Sequence, residues 1–545
     1  VKQRTGLEVS EADAMKTMRT TRKGGRAICF VSLGALLLGG CRVGPKYVTP
    51  TAAAAAPEYK EASPAAYANA PDGTDGIWRP AQPQDAMLKG KWWEDFHEPE
   101  LNGLEEQLDI NNENIKQYFE NFMAARAQVR EAHASYYPTV TTDPSYTRQK
   151  SPSTLRNSAT TSTGTGTTGG GTTTTGVATT GGTTSTVLSL PFDVSWEPDL
   201  WGKVRNTVSE FQYASQVSAA ELENERLTEQ ADLAEYYFEL RGQDALQDLY
   251  NKTIEADKKS LQLTQALYET GIDSDESVAQ AEVTLENAQE VGAGIATNRA
   301  IYEHAIATLI GKPASSFSLP VKSLETPVPA IPIGVPSQLL QRRPDIAGAE
   351  RTMAEANALI GVEKAAYYPT LSLTGGGGLE SSKISTLFSL PALFWSAGSQ
   401  ASETIFDAGL RRATVAQYTA QYNADVATYR QTVLTAFQQV EDYIATLRVT
   451  SQQIAQQDAA VKSAQRYVDR ATARYQTGLD PYLNVISAQT TLLSDQQTAV
   501  TLRINEMTAA VQLVQALGGG WDVTQLPAAA RVNTNGAATQ VSTTP

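Results

Sequence analysis

Tyr268-Glu269-Thr270-Gly271-Ile272-Asp273 and, 207 residues later, Tyr475-Gln476-Thr477-Gly478-Leu479-Asp480 are one turn written twice. The correspondence runs without a gap from Gly202 to Gly311, so that Gly202, Val278, Ala281 and Gly311 answer to Gly409, Val485, Ala488 and Gly518. A segment repeated at a fixed offset is one structural unit used twice and packed against its copy. The pattern points to quasi-symmetric assembly, not to a catalytic pocket.

Long helices flank the turns. Between Gly409 and Gly478 lie 68 residues with no Gly and no Pro, and the stretch from Lys203 to Thr270 has only Gly242 as a weak point. At about 1.5 Å per residue each makes a helix about 100 Å long. Their polar content (Gln438, Gln439, Glu441, Asp442, Gln452, Gln453) excludes burial in lipid, so they pack laterally as coiled coils. After each turn a shorter helix is expected to run back toward Gly311 or Gly518. Asp480 would cap the second with Pro481 at its first position, and Asp273 or Ser274 would cap the first.

Each copy also carries strand patterns before its long helix. Leu188, Leu190, Phe192, Val194 and Trp196 alternate with polar residues and Pro191, the period of a strand with one apolar face. Tyr136-Tyr137-Pro138 ends a helix and opens a Thr-rich strand, and Tyr367-Tyr368-Pro369 does so before Thr370-Leu371-Ser372-Leu373-Thr374. Each copy thus supplies a two-stranded hairpin. The first hairpin's loop, 158–186, is nearly all Thr, Gly and Ser, a composition without a core. The fourth strand fits least well: the 207-residue offset puts Trp395, Ala397, Ser399, Ala401 and Glu403 on its apolar face, and its register stays open.

Near the start, Lys16, Arg19, Arg22, Lys23 and Arg26 precede an apolar run from Ala27 to Leu38, then Leu38-Gly39-Gly40-Cys41. That is the layout of a lipoprotein signal peptide, with a run of 12 residues against the roughly 20 needed to span a bilayer. Residues 1–40 are expected to be removed, with Met15 or Met18 as alternative starts, and Cys41 to carry the lipid. Cys29 would leave with the signal, so no disulfide pair remains. Arg42, in place of Asp, favours the outer membrane. Acyl chains alone hold weakly, and a second embedded element would make attachment permanent.

The chain carries 44 Lys+Arg against 59 Asp+Glu. An acidic excess repels nucleic acid and biases any enclosed water path toward cations. Four strands cannot close a barrel, and open strand edges are not tolerated in hydrocarbon, so strands in lipid require several chains to complete one barrel.

These residues resemble the outer-membrane efflux proteins, in particular the lipoprotein branch of outer-membrane factors serving resistance-nodulation-division pumps. Cys41-Arg42-Val43-Gly44-Pro45-Lys46-Tyr47, Trp92-Trp93-Glu94-Asp95-Phe96 and Pro99-Glu100-Leu101 are similar to the family's opening. The run from Gly334 to Ile346, with Leu339-Leu340-Gln341-Arg342-Arg343-Pro344-Asp345, and Ile405-Phe406-Asp407-Ala408-Gly409 resemble its later motifs. The resemblance implies a mixed α and β membrane protein, a homotrimer. Three chains would each give four strands to a twelve-stranded transmembrane β-barrel, continued by a coiled-coil helical barrel across the periplasm.

On that resemblance the chain divides into a signal peptide (1–40), a lipidated extension (41–97), the first repeat (98–311), a linker (312–336), the second repeat (337–518) and a flexible tail (519–545). The helix turns would form the periplasmic tip, where Gly271, Ile272, Gly478 and Leu479 meet a periplasmic adaptor protein linked to an inner-membrane transporter. The family's aperture pattern is an apolar residue followed four positions on by Asp. Leu483 matches it, Ser487 replaces the acid, and Asn484 stands where many relatives have Asp; Asp480, Asp273, Asp275 and Glu276 are the substitute charges near the mouth. The implied function is a passive, gated exit duct for small toxic compounds. It needs no cofactor beyond the lipid on Cys41.

Rival classes are a secretion channel for proteins or oligosaccharides and a lipid-anchored scaffold without a pore. The scaffold leaves the Leu188 to Trp196 alternation unexplained. Catalysis has little to draw on: His97, His133 and His304 have no metal-binding spacing, and the glycine clusters at 375–378 and 518–520 lack a phosphate-loop lysine. Arg342 and Arg343, before Pro344, read as linker-fixing ion pairs.

Overall fold

A computed structural model describes residues 42–52, 59–61, 90–150, 184–324, 326–329, 331 and 336–528. The signal peptide, Cys41, most of the Thr-Gly loop and the end of the tail lie outside them. The main elements in chain order are α1 (Pro99–Asn111), α2 (Glu113–Ala134), β1 (Thr139–Thr141), β2 (Ser145–Lys150), β3 (Thr184–Trp196), α3 (Lys203–Glu269), α4 (Asp275–Leu309), α5 (Pro344–Ala365), β4 (Thr370–Ser381), β5 (Leu393–Ser402), α6 (Leu410–Gln476) and α7 (Tyr482–Ala516), with short helical turns between. The chain falls into two compact units.

The duplication extends through all of them. α3 and α6 each have 67 residues, α4 and α7 each 35, and α2 and α5 each 22. From Glu113 to Pro344 the step is 231 residues, and from Lys203 to Leu410 it is 207; the offset changes in the loops between strands, which are longer in the first copy.

The first unit holds residues 1–45, 131–208 and 360–416, and with them the strands. They form one antiparallel sheet in which β1 and β2 both pair with β3, β3 with β4, and β4 with β5. β1 and β2 are one strand interrupted at Thr142–Pro144, so the sheet has four strands in effect. Thr184, Ser185 and Thr186, expected in the loop, belong to β3 opposite Lys150, Gln149 and Arg148. β-branched threonines suit a pleated strand, and composition alone had hidden it.

β5 settles the doubtful strand. Trp395, Ala397, Ser399 and Ala401 lie opposite Gly377, Gly375, Leu373 and Leu371, which places them on the face of Phe192 and Val194. The strand ends at Ser402, so Glu403 falls beyond it, and Leu393 takes up the apolar row at the other end. Gly375 to Gly378 sit within β4, where Gly377 stands between Phe192 and Trp395. A Cβ on Gly378 would come within 2.2 Å of the Leu190 carbonyl oxygen, which excludes any side chain there.

The second unit, 46–130, 209–359 and 417–545, holds most of the helical core. Trp92, Trp93, Phe96, Leu101 and Leu108 bury against Tyr237, Phe238, Ile306, Val440, Ile444 and Val511. Gly242 is a packing site rather than a weak point: a Cβ there would meet Ile504 Cδ1 of α7 at 2.2 Å. Buried charge ties the linker to this core. Arg241 donates to Glu100 (2.5 Å), Asp244 (3.0 Å) and the Pro320 carbonyl (2.7 Å), while Arg299 donates to Asp244 and the Leu319 carbonyl, each at 2.7 Å. Such a cluster fixes geometry more than it adds stability, because desolvation offsets much of the attraction. Arg343 behaves as the sequence suggests, donating to Asp345 (2.6 Å), Gln439 (2.9 Å) and the Ala516 carbonyl (3.1 Å).

The tail is anchored further than its composition implies. Trp521 and Leu526 bury against Ala219, Ala220 and Ala347, and Gln216 donates to the Pro527 carbonyl at 2.8 Å. These contacts hold residues 521–527 that a reading of Ala, Thr and Asn content leaves loose. Among the described residues, no helix is long and apolar enough to cross a membrane.

Candidate functional site

The two hairpin turns have one backbone. At Gly271, φ is +74°, the Gly271 N–H donates to the Tyr268 carbonyl (2.9 Å) and the Ile272 N–H to the Leu267 carbonyl (3.0 Å). At Gly478, φ is +73°, and the equivalent bonds run from Gly478 to Tyr475 (2.8 Å) and from Leu479 to Arg474 (2.9 Å). This is the Schellman ending of a helix, in which a left-handed residue turns two terminal N–H groups back onto orphan carbonyls. Glycine takes that left-handed conformation at no steric cost. Ile272 and Leu479 follow it, each 69% exposed.

Beneath the turns the hairpins of one chain pack together. Ala281 of α4 and its counterpart Ala488 of α7 are buried with Ala471, Tyr475, Tyr482 and Val485, and Leu261, Leu263 and Leu267 close over them. Small residues at equivalent positions let the helices approach, and the rings of Tyr475 and Tyr482 meet at 5.2 Å.

The side-chain wiring differs between the copies. Asp273 accepts the Tyr475 hydroxyl from the other hairpin, the Ser277 hydroxyl (2.7 Å) and the Ser274 N–H (2.7 Å). Burial pushes its carboxyl up, but these hydrogen bonds outweigh burial and hold it below the usual range. Tyr475 is driven up to about 12 by burial and by that same bond. Ser274 caps α4, accepting from the Ser277 N–H. Asp480 does not cap α7, contrary to the sequence expectation: Pro481 takes the cap position with no side-chain bond. Arg474 instead captures Asp480 with two hydrogen bonds of 2.6 and 3.0 Å, and Asn484 adds another. A bidentate guanidinium outcompetes a single N–H for the same carboxylate, and it lowers the Asp480 pKa.

The remaining residues of the aperture reading are exposed. Leu483 (59%) and Ser487 share a helix face four residues apart, while Asp275 and Glu276 face solvent in the first turn of α4. The structure therefore joins Asp273 to the second hairpin, keeps Asp480 and Asn484 together, and leaves Leu483, Ser487, Asp275 and Glu276 exposed. Tyr475 and Arg474 were missed. The repeat held a signal for the first: Tyr268/Asp273 and Tyr475/Asp480 duplicate a Tyr–Asp pair.

The sheet has two distinct faces. Leu188, Leu190, Phe192, Val194 and Trp196 share one with Leu373, Leu379, Leu393 and Trp395; Phe192 is 52% and Trp395 77% exposed. The other carries Ser189, Asp193, Thr374, Glu380, Ser396 and Gln400. Gly376 leaves room there, since a Cβ would lie 2.8 Å from Asp193 Oδ1 and 3.0 Å from Ser396 Oγ. Just after Cys41, which lies outside the described residues, Arg42 donates to Asn206 (2.6 Å), the Val43 N–H donates to the Trp201 carbonyl (2.9 Å), and Gly44 packs on Gly361.

No group of three or more potential metal ligands occurs among the described residues. The family profile described as "Outer membrane efflux protein" matches residues 104–312 and 335–519, well over half of the chain. The toluene efflux pump outer membrane protein TtgC of Pseudomonas putida is 30% identical over 499 residues, covering 91% of this chain and 96% of the relative. Among solved structures, the outer-membrane channel OprN matches with a TM-score of 0.77 and 26% identity over 88% of this chain and all of that one. The Campylobacter jejuni CmeC outer membrane channel shares the fold, with a TM-score of 0.77 at 21% identity over 90% of this chain and 97% of that one. With two copies of one hairpin, a two-faced sheet and this breadth of match, the chain belongs to the outer membrane efflux protein family.

Proposed function

We propose that three copies of this chain form the outer-membrane exit duct of a tripartite efflux pump, handing small toxic compounds from the periplasm to the exterior without chemistry of its own. A periplasmic adaptor and an inner-membrane resistance-nodulation-division transporter supply the other two parts. The observation that carries the reading is the sheet: one apolar and one polar face, with both outer edges left unpaired among the described residues of a single chain. A bilayer does not tolerate such edges, whose free N–H and C=O groups cost several kcal/mol each, and closure into a barrel with further copies removes them.

In that arrangement Leu188, Leu190, Phe192, Val194 and Trp196 face lipid, and Cys41 carries the acyl anchor. Gly271, Ile272, Gly478 and Leu479 present two exposed apolar tips on tight turns for the adaptor to dock. Leu483, Ser487 and Asn484 line the aperture, with Asp480, Asp275 and Glu276 at its mouth. The tie from Tyr475 to Asp273 holds the two hairpins together in the resting state, and its release lets them part. Electron microscopy of the detergent-extracted protein should show three-fold rings end-on, and deletion of the gene should raise sensitivity to toluene. Compact monomers, or solid rods without a lumen, overturn the duct. Leu483→Ala should raise single-channel conductance in a planar bilayer, and an unchanged value would remove that residue from the aperture.

A further inference from the structure

The two faces of the sheet divide its charges by sign. Among the described strand residues, the polar face carries Asp193 and Glu380 and no Lys or Arg, while the apolar face carries Arg148 and Lys150 and no Asp or Glu. Pairing fixes the face. Tyr146, Arg148 and Lys150 lie opposite Leu188, Thr186 and Thr184, which continue the row of Leu190, Phe192, Val194 and Trp196. Both bases are exposed.

Their place along the strand is as restricted as their face. Both hairpins join their helices at the end of Thr139, Trp196, Thr370 and Ser402, so Lys150 and Thr184 close the opposite end of the first hairpin. The apolar row from Leu188 to Trp196 spans nine residues of β3, against the roughly 9–11 that a tilted strand needs to cross hydrocarbon. Tyr146, 64% exposed, stands opposite the last leucine of that row, and the two bases follow it outward. A bilayer interface favours this order, with an aromatic ring at the headgroup boundary and long basic side chains reaching past it. The repeat did not impose the bases. At the 231-residue step that carries Thr139 to Thr370, Tyr146, Arg148 and Lys150 answer to Gly377, Leu379 and Ser381, all neutral.

We infer that Arg148 and Lys150 form a docking site, on the outer rim of the apolar face, for the phosphorylated headgroup of an outer-leaflet lipid. Its acyl chains lie along Tyr146, Leu188 and Leu190. Charge selects this occupant: hydrocarbon alone leaves two cations without counter-ions, whereas a lipid with phosphate and acyl chains in one molecule satisfies the cations and the apolar row together. The Arg148 guanidinium can present two N–H groups to one phosphate, and Lys150, about 7 Å farther along the strand, reaches the same headgroup.

The inference rests on the reading of the sheet as part of a lipid-embedded trimeric barrel, and the test separates the two. Purified full-length protein, as wild type and as Arg148→Gln with Lys150→Gln, is titrated in detergent with diphosphoryl lipid A, and bound lipid is counted by native mass spectrometry. Lys252→Gln with Lys258→Gln makes the same change of charge on α3, and electron microscopy checks each sample for three-fold particles. At roughly fivefold for each basic residue near an anionic headgroup, the Arg148/Lys150 variant should bind about thirtyfold more weakly, and the α3 variant like wild type. Lipid A stripped of its phosphates should bind wild type as weakly as the diphosphoryl form binds the Arg148/Lys150 variant. Equal affinity of that variant and wild type for diphosphoryl lipid A, in three-fold particles, overturns the headgroup site and leaves the barrel standing. An equal loss in the α3 variant, or wild-type binding indifferent to the phosphates, overturns the site as well. Absence of three-fold particles in wild type overturns the barrel reading beneath it, and the site with it.

Discussion

At Gly271 and Gly478 the chain leaves a long helix with φ of +74° and +73° and closes the same two backbone hydrogen bonds, yet Asp273 is held by Tyr475 of the other hairpin while Asp480 turns back on Arg474 of its own. The two positions that decide this are unlike: Arg474 answers to Leu267, which is packed in the apolar cluster. Tyr475 answers to Tyr268, which is 47% exposed. Backbone geometry comes from the glycine and is copied with it. What each turn is fastened to comes from one or two side chains, and there the copies have diverged. On the proposed reading, in which the duct opens by parting its hairpins, the first turn carries the tie that must break and the second carries a brace within one hairpin.

The largest effect expected from this contrast is at Asp273. Asp273→Ala removes the acceptor of three hydrogen bonds, of which the one from Tyr475 joins the hairpins, and losing about 1.4 kcal/mol of that charge-assisted bonding lowers the closed-to-open ratio about tenfold. Open probability in planar bilayers reads this directly. Tyr475→Phe removes the same charge-assisted bond between hairpins together with the 3.4 Å bond to Thr264, leaves Asp273 its bonds to Ser274 and Ser277, and should produce a rise of up to about tenfold. Arg474→Gln should shift open probability by less than about twofold, since an exposed pair within one hairpin adds little to either state. An Arg474→Gln effect equal to that of Tyr475→Phe would show that the second turn also bridges hairpins, and the contrast would collapse.

Much of the fold is legible in the sequence because it depends on short-range signals. A run free of Gly and Pro marks α6, one broken only by Gly242 marks α3, each to within a residue, and alternation marks β3. The 207-residue offset also put Trp395, Ala397, Ser399 and Ala401 on one face of β5 while leaving its register open, and Glu403 was misplaced because the strand ends one residue earlier. The losses lie where a contact joins distant positions or where two local rules compete. Asp480 has the sequence of a cap, and the bidentate Arg474 overrides it. Thr184 to Thr186 read as loop until β2 pairs with them. Trp521 and Leu526 read as tail until Ala219 and Ala347 cover them. The tie from Tyr475 to Asp273 spans 202 residues, and the duplicated Tyr–Asp pair marks both residues without showing that the bond crosses from one copy to the other.

Acid gives the smallest effect and the sharpest separation of the two turns. Both aspartates have carboxyls held below their ordinary range, Asp273 because bonds from Tyr475, Ser277 and Ser274 outweigh its burial, and Asp480 chiefly because of Arg474. A group whose folded pKa is depressed contributes fully above its unfolded value, about 3.9 for aspartate, and loses that contribution as pH falls through the folded pKa. The contribution of Asp273 to open probability should therefore stay constant from about pH 5 to 8 and be lost only below about pH 4. Protonating Asp273 weakens the tie between hairpins, whereas protonating Asp480 loosens a brace inside one of them. Asp273→Ala should thus start high and respond little to acid, and Arg474→Gln should keep nearly the whole wild-type response. If Asp273→Ala retains the full acid response, the sensitive carboxylate is elsewhere, and the first turn is not the tie that sets opening.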